Sequence, residues 1–375
     1  MARAEQGPIY LDYNASAPLR PEAAAAIAET LTLPGNPSSV HAFGRAARAK
    51  MEAARAEVAA LVAAKPANVV FTGSGTEANN LALAQAAGQP ILVSAGEHAS
   101  ILEAAPNARR APLLPSGLVD LEALKVLLAG KPALVSLQLA NNETGAVQPV
   151  ADAAALAREA GALFHCDAVQ AAGRMAIDMV ALGADLLSLS AHKLGGPKGV
   201  GALVISERVA VRPLIKGGGQ ERRYRAGTEN LSGIAGFGAA ARIARDFESE
   251  ARRVGRLRDA LETGVRNLAP EATIHGQRAL RLPNTSCFSF PELRAETQVM
   301  ALDLAGVAVG AGAACSSGKV TPSEVLTAMG VPPAAAATAI RVSFGWASEE
   351  RDVEVFLDAW GETIRRSLRS AQPAA

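Results

Sequence analysis

Lys193 stands just beyond an apolar run that covers residues 185–190 and has the composition of a buried strand. A turn rich in glycine and proline follows it, and a second apolar run covers residues 200–205. Apolar walls around a lysine disfavour the ammonium form and lower the pKa of the amine, which a Schiff-base lysine requires. The alternative is a solvated loop lysine, which is the commoner situation for a single lysine.

Asp167, His98 and Asn142 each follow a strand-like apolar run, as Lys193 does. In a parallel sheet such positions meet at the carboxyl edge, where ligands bind. A buried aspartate needs a partner, either an arginine or a cationic ring nitrogen, and the spacing alone favours the structural ion pair. For His98 a structural role and a chemical role are equally open on the sequence.

A glycine turn, Phe-Thr-Gly-Ser-Gly-Thr at residues 71–76, joins a strand to the start of a helix. The N–H groups and the positive end of such a helix can cradle a phosphate. The same residues fit an ordinary capping box between Ser74 and Glu77, so the turn by itself does not decide between the two.

Two side chains of the C-terminal third are candidates for reaction with a substrate. Cys315 lies among small residues in the segment 310–318, a setting that suits a reactive thiol. Arg341 alternates with apolar positions and is either a structural ion-pair partner or a bidentate clamp for a carboxylate. Cys166 and Cys287 lie within apolar runs, where a cysteine packs as a small hydrophobic side chain.

Strand-like and helical segments alternate along the N-terminal half of the chain. Strands are predicted at residues 68–72, 90–94, 133–138, 163–165, 185–190 and 200–205, and helices at 21–33, 40–64, from 76 onward and at 151–160. Strands separated by helices indicate βαβ units and a mostly parallel sheet, and runs that are apolar on both faces indicate a sheet covered on both sides.

The pattern changes after residue 208. A polar, glycine-rich loop covers 216–230, and one long helix is predicted over 232–268 as a link between domains. Fewer strands follow, at 285–290, 307–309 and 339–344, with helices beside them and a last helix at 352–368. The sequence therefore predicts an α/β chain with a smaller α+β domain after the first.

Composition excludes several classes of protein. Of the 375 residues, 49% are hydrophobic and 19% are charged, and a net charge of +1 gives no sign of a nucleic-acid or membrane partner. No run reaches the roughly 18 apolar residues of a membrane helix, and residues 1–8 lack the apolar core of a signal peptide. The three cysteines have no CxxC spacing, which argues against a disulfide framework or zinc site and indicates a cytoplasmic setting.

Three motifs together point to one family. They are Ser-x-His-Lys-x-x-Gly-Pro-Lys-Gly at 190–199, His-x-Asp-Ala-x-Gln at 165–170, and the cysteine loop at 312–318. On these residues the chain resembles the NifS-like cysteine desulfurases, enzymes of the class V aminotransferase family that depend on pyridoxal 5′-phosphate (PLP). The resemblance implies fold type I, with a large PLP-binding domain at 15–256 and a small domain at 1–14 and 257–375 that carries the cysteine loop.

The resemblance also implies a role for each matching residue. Lys193 would carry PLP as a Schiff base and move protons at the substrate Cα, Asp167 would pair with the pyridinium nitrogen, and His98 would stack on the ring and act as acid and base. Further cofactor contacts are implied for Gly75, Thr76, Asn142, Gln170, Ser190, His192 and Thr228, the last reaching in from the partner subunit of a homodimer. The substrate carboxylate would be bound by Arg341, together with Asn36 and Asn142.

The implied reaction converts L-cysteine to L-alanine, while the Cys315 thiolate attacks the substrate sulfur and keeps it as a persulfide. An acceptor protein, such as an iron–sulfur scaffold, would then take the sulfur, and the sequence does not identify this acceptor. A selenocysteine lyase or a related PLP-dependent lyase or aminotransferase is the alternative, but those reactions need no thiol nucleophile. A PLP-fold protein without catalysis is a third interpretation. Ala313 stands where the family has serine.

Overall fold

The computed structural model describes residues 7–291, 293–311 and 323–371 of the chain. Its strands are β1 (Ile9–Tyr10), β2 (Val69–Thr72), β3 (Ile91–Ser94), β4 (Arg109–Ala111), β5 (Leu134–Gln138), β6 (Leu163–Asp167), β7 (Leu186–Ser190), β8 (Gly201–Ile205), β9 (Thr273–Ile274), β10 (Thr285–Ser289), β11 (Val307–Ala308), β12 (Gly310–Ala311) and β13 (Ala339–Ser343). Its helices are α1 (Pro21–Leu31), α2 (Ala42–Leu61), α3 (Gly75–Leu83), α4 (Ala99–Leu102), α5 (Leu121–Leu128), α6 (Val150–Glu159), α7 (Leu231–Ala244), α8 (Phe247–Leu268), α9 (Ala295–Leu304), α10 (Glu324–Ala328), α11 (Pro333–Ala336) and α12 (Glu350–Ala371). None of the helices in these ranges combines the length and the apolarity that crossing a bilayer requires.

Seven strands form the central sheet, in the order β2-β8-β7-β6-β5-β3-β4. Neighbouring strands pair in parallel, except that β8 runs antiparallel to both β2 and β7. Only a short 3₁₀ turn and a glycine-rich turn separate β7 from β8, which leaves no room for the crossover helix that a parallel return needs. The predicted mostly parallel sheet is confirmed.

The central strands are buried on both faces. All five residues of β5, β7 and β8 are buried. Leu186 packs into one apolar cluster and Leu187 into another, because successive side chains of a strand point to opposite faces of the sheet. This is the reason that the strand sequences read as continuous apolar runs instead of alternating ones.

A second core lies beside the antiparallel sheet β12-β13-β10-β9. Trp360 of α12 packs edge-to-face on Phe288 and Phe290, with ring centroids 5.3 and 6.0 Å apart. Ile9 and Leu11 join this core from the start of the chain, since β1 pairs in parallel with β11. The domain limits 15–256 and 257–375 stay a prediction.

The prediction of one long helix over 232–268 is wrong, because α7 and α8 are separate helices. Gly238 of α7 approaches α2 so closely that a Cβ atom on it would lie 2.6 Å from the Cα of Ala54. α8 packs its apolar face, including Leu257 and Leu261, into the second core instead. The chain changes direction at Asp246, whose backbone is not helical (φ −90°, ψ 40°), so each helix can cover a different core.

Candidate active site

The carboxyl ends of β5, β6 and β7 and the turn after β3 border a cavity of about 260 Å³. This volume is close to the lower end of the roughly 300–1,000 Å³ that ligand pockets occupy. The predicted site residues that line the cavity are Gly75, Thr76, His98, Asn142, Asp167, Gln170, Ser190, His192 and Lys193. Polar groups from separate strand ends therefore meet at one edge of the sheet, as they do in other open parallel sheets.

Lys193 closes the 3₁₀ turn that directly follows β7. Its amine donates hydrogen bonds to the carbonyl oxygens of Asn14 at 2.6 Å and Ala15 at 3.0 Å. Burial, and then the charges of Arg341 and Arg174, lower the pKa of this amine to about 8. Roughly a tenth of the amine is therefore neutral and nucleophilic at pH 7.

Asp167 ends β6 at the cavity wall and is only 7% exposed. Its carboxylate accepts hydrogen bonds from Asn79 Nδ2 at 2.7 Å and from the Val169 N–H at 2.9 Å. No lysine, arginine or histidine of the described ranges lies within ion-pair distance of it, so the structural ion pair that the spacing favours is not formed there. A buried carboxylate with neutral donors only retains acceptor capacity for a cationic ligand.

His98 follows β3 and caps α4. Its Nδ1 accepts a hydrogen bond from the Ser100 N–H at 3.1 Å, so the neutral ring carries its proton on Nε2. Burial and the charge of Lys193 lower the pKa of His98, while Asp167 raises it in part. Burial likewise lowers the pKa of His192 to about 4. Both imidazoles are therefore neutral at pH 7, and the capping role of His98 coexists with its place in the cavity wall.

The N-terminus of α3 forms another wall of the cavity. Ser74 caps this helix by accepting a hydrogen bond from the Glu77 N–H at 3.1 Å, so the capping arrangement is present. A Cβ atom on Gly75 would lie 3.1 Å from Ser190 Cβ and 3.1 Å from Val169 Cγ2, so glycine keeps this wall open. An anion is favoured at such a helix end, and the cap does not compete with it because it uses a different N–H group.

Arg341 lies in β13 and is 7% exposed. Its Nη2 pairs with Asp12 Oδ1 at 2.7 Å, and its Nη1 donates to the Asn142 carbonyl at 3.0 Å. Its Nε is buried and has no hydrogen-bond partner among the described residues. The structural ion pair is thus present, but it uses a single hydrogen bond and is not bidentate. The N–H group on Nε is left for a ligand.

Asn79, Ser100 and Gln138 line the same cavity, although no sequence motif indicated them. Asn79 lies in the first turns of α3 and donates both to Asp167 and, at 2.8 Å, to Ser100 Oγ. An asparagine is a poor helix former, so its presence in the buried face of a helix is the signal that could have found it. Gln138 is the last residue of β5, a position of the same kind as that of Asp167.

Three predicted residues of the described ranges do not line the cavity. Asn36 and Thr228 are exposed, and Arg341 reaches the cavity only through its hydrogen bond to the carbonyl of Asn142, which does line it. Cys315 lies outside the described residues. Gly310, on the N-terminal side of that segment, pairs opposite Arg341 in the β12–β13 ladder.

Residues 9–356 of the chain match the family Aminotransferase class-V. A cysteine desulfurase of Cereibacter sphaeroides is 46% identical over 380 positions, which cover 97% of each chain. The cysteine desulfurase IscS of Dictyoglomus turgidum is 40% identical, over 97% of this chain and 96% of the relative. The X-ray structure of a NifS-like protein from Rickettsia africae superposes with a TM-score of 0.89 at 36% identity and covers 96% of this chain and 99% of its own.

Proposed function

The chain belongs to the aminotransferase class-V family, and we propose that it is a PLP-dependent cysteine desulfurase. One observation carries the proposal: the low-pKa amine of Lys193, the carboxylate of Asp167 without a cationic partner in the described ranges, and the N-terminus of α3 meet at one cavity. Relatives that match almost all of this chain carry the desulfurase name. The selenocysteine lyase alternative is not favoured.

The cavity fits PLP by its distribution of charge. Asp167, whose donors within the described part of the chain are all neutral, suits a protonated ring nitrogen, and the N-terminus of α3 suits a phosphate. The partly neutral amine of Lys193 suits an aldehyde. Bound there, PLP supplies an electron sink that makes the Cα proton of an amino acid acidic.

Of the side chains around the cavity, some transfer protons and others bind the cofactor. Lys193 removes the proton from the substrate Cα, because its amine is partly neutral near pH 7. His98 is neutral at this pH and exchanges a further proton with the substrate. Gly75, Thr76, Ser190 and His192 hold the phosphate, Gln170 contacts the ring, and Asp167 keeps the ring nitrogen protonated.

Arg341 binds the carboxylate of the substrate in this proposal, together with Asn142 and Asn36. Its unpartnered Nε supports the assignment, since a buried N–H group without an acceptor is costly and a carboxylate oxygen would satisfy it. Asp12 holds the far side of the guanidinium and so fixes its plane. The same arginine is the strongest of the charges that lower the pKa of Lys193.

Cys315 takes the sulfur of the substrate. A Cβ atom on Gly310 would lie 2.8 Å from Arg341 Nη2 and 2.9 Å from Asp12 Oδ1, so Gly310 lies close to both side chains. Cys315 lies five residues beyond Gly310 in the sequence. Arg341 in turn binds the carbonyl of Asn142, a cavity residue, at 3.0 Å. Five extended residues span at most about 18 Å, so the length of this segment allows the thiol to approach Asn142. The Cys315 thiolate forms a new S–S bond as the Cβ–S bond of cysteine breaks; the electron pair of that bond stays with the substrate carbon, which takes up a proton to give alanine.

We also propose a homodimer in which Thr228 contacts the phosphate of the partner's site. Thr228 is exposed and lies at the end of the loop that starts at residue 216. This loop is anchored by Glu221, which accepts two hydrogen bonds from Arg55, each of 2.7 Å. An anchored loop that presents an exposed hydroxyl is suited to a contact outside its own subunit. The cytoplasmic setting and the supply of sulfur to iron–sulfur assembly stay predictions.

Mass spectrometry of the chain after exposure to L-cysteine tests the proposed function. We expect one added sulfur atom on the peptide that contains Cys315, and alanine as the product. The peptides of Cys166 and Cys287 serve as controls in the same digest, because burial raises the pKa of both thiols and keeps them unreactive. Alanine release from cysteine that persists in Cys315→Ala would overturn the assignment of the nucleophile.

A further inference from the structure

Arg174 lies behind the cavity and has an unusual set of partners for an arginine. Its guanidinium donates to the Gln170 carbonyl at 2.9 Å, to Gln170 Oε1 at 2.5 Å, and to the carbonyls of Tyr13 and Lys193 at 3.4 Å each. No carboxylate within the described ranges pairs with it. Glu250, whose charge acts on Arg174, is itself paired with Arg20 at 2.6 Å.

The contact with Gln170 determines which way the amide of that residue points. A guanidinium can only donate, so the atom of Gln170 that faces Arg174 must be the oxygen. Nε2 therefore points away from Arg174, and it donates to the Asn14 carbonyl at 3.0 Å. Nε2 carries two hydrogens and the Asn14 carbonyl takes one, so Gln170, which lines the cavity, keeps one N–H group that a ligand in the cavity can accept.

The same network holds Lys193 at both of its ends. The Lys193 carbonyl accepts a hydrogen bond from Arg174. The Lys193 amine donates to the Asn14 carbonyl, which also accepts a hydrogen bond from Gln170 Nε2. Gln170 and Lys193 thus share the Asn14 carbonyl as an acceptor and the Arg174 guanidinium as a donor. Loss of the guanidinium would release Gln170 and Lys193 together.

Arg174 acts on Lys193 through its charge as well as through its hydrogen bond. Burial and the charges of Arg341 and Arg174 lower the pKa of Lys193, while Asp12 and Asp167 raise it. Arg341 is partly offset by its ion pair with Asp12 at 2.7 Å. Arg174 has no such pair in the described ranges, so its charge is less compensated.

We propose that Arg174 is a positioning residue, which fixes Gln170 as a hydrogen-bond donor toward the cavity and holds Lys193 from behind. The inference rests on the proposed function for the identity of the ligand, since it is PLP that Gln170 and Lys193 would meet. Arg174 itself touches neither the substrate nor the cofactor in this proposal.

The first test measures the amine of Lys193 in the full chain without cofactor. Competitive labelling with acetic anhydride as a function of pH, read by mass spectrometry of the Lys193 peptide, gives the midpoint of its titration. We expect a midpoint near pH 8 in the wild type and a rise of roughly 0.5–1 pH unit in Arg174→Met. Arg174→Lys retains the charge and should keep the wild-type midpoint.

Arg253→Met is the matched control, because Arg253 also donates to backbone carbonyls, at Gly345 and Trp346, and does not act on Lys193. Its midpoint should equal that of the wild type. An Arg174→Met midpoint equal to that of the wild type, in a variant whose circular dichroism and urea unfolding show a folded chain, would overturn the inference.

The second test is a double-mutant cycle on the dissociation constant of PLP, with Arg174→Met and Gln170→Ala. If Arg174 acts through Gln170, Arg174→Met should weaken binding by about 5–10-fold in the wild type and by a smaller factor in the Gln170→Ala background. Equal factors in both backgrounds would contradict the positioning role. Neither test uses cysteine turnover, so the inference and the desulfurase proposal can fail separately.

Discussion

Two buried carboxylates of the large sheet region have opposite surroundings. Glu221 accepts two hydrogen bonds from Arg55, each of 2.7 Å, and one from the Phe71 N–H at 2.8 Å. Among the residues that the structure describes, Asp167 accepts only from an amide side chain, Asn79, and from a backbone N–H. A carboxylate whose cation is built into the fold stabilises the fold, whereas one without a cation is available to a ligand.

The region around Glu221 needs its ion pair because the backbone there is strained. Glu221, Arg222 and Arg223 have φ values of 43°, 56° and 69°, in the left-handed region that residues with a side chain rarely adopt. Such conformations persist only where surrounding contacts hold them. Asp167 ends a regular strand and carries no strain of this kind, so its substitution should affect ligand binding more than the stability of the fold.

The largest expected effect is on stability, from Glu221→Gln. Loss of the charge leaves Arg55 buried without its full partner, and breaking a buried pair costs about 3–5 kcal/mol of the free energy of unfolding. Urea unfolding measures this loss of stability. Glu52→Gln is the control, since Glu52 also pairs with Arg55, at 3.0 Å, but is half exposed, and it should change stability little. Equal effects of the two variants would remove the distinction between a buried and an exposed partner.

Asp167→Asn should have the opposite effect to Glu221→Gln: a large loss of activity and a small loss of stability. If Asp167 pairs with the ring nitrogen of PLP, alanine formation from cysteine should fall by about 10²–10³-fold, the usual loss for one stabilising group in an active site. The free energy of unfolding should fall by less than half of the Glu221→Gln value, because the donors of Asp167 are neutral. Near-normal turnover, or a loss of stability as large as that of Glu221→Gln, would contradict the distinction between a carboxylate that stabilises the fold and one that binds a ligand.

Glu143 is another buried acid, and it extends the comparison to the dependence of stability on pH. Burial raises its pKa to about 7, although the Ser323 hydroxyl and Arg341 lower it in part. Between pH 4.5 and 7 the folded chain therefore holds a proton that the unfolded chain has lost, and stability falls as pH rises through this window. The decline should reach roughly 3 kcal/mol and be absent in Glu143→Gln, whose amide oxygen can still accept from Ser323. Urea unfolding at several pH values measures it; parallel pH profiles of the two proteins would contradict it.

The smallest effect is expected at the surface. Lys65 and Glu207 pair at 2.7 Å, and both side chains are more than 70% exposed. Water and salt screen such a pair, and ordering two long side chains opposes it. Lys65→Ala should leave the thermal unfolding temperature unchanged at physiological ionic strength. A clear decrease would mean that the charge of a pair, and not its burial, decides its contribution.

Much of the sheet could be predicted because each strand carries its own signal. Runs such as β5 and β7 are apolar over their whole length, and a run buried on both faces needs no information from elsewhere. β4 was missed because it reads Arg-Arg-Ala and its two arginines are exposed at the sheet edge. The break at Asp246 was missed because helical periodicity continues on both sides of it, and only the positions of two cores require the turn.

The sequence by itself determined where the strands end, because local periodicity sets strand ends. It therefore placed Asp167 at the end of a strand, and Lys193 and His98 in the turns that follow strands. Only the tertiary structure decided their partners. The bond between Lys193 and Asn14 joins residues 179 positions apart, and that between Arg341 and Asp12 joins residues 329 apart. No local pattern encodes such pairs, since they form where separate elements pack together. The partners in turn influence which groups are charged, because burial and neighbouring charges shift each pKa away from the value that its residue type has in water.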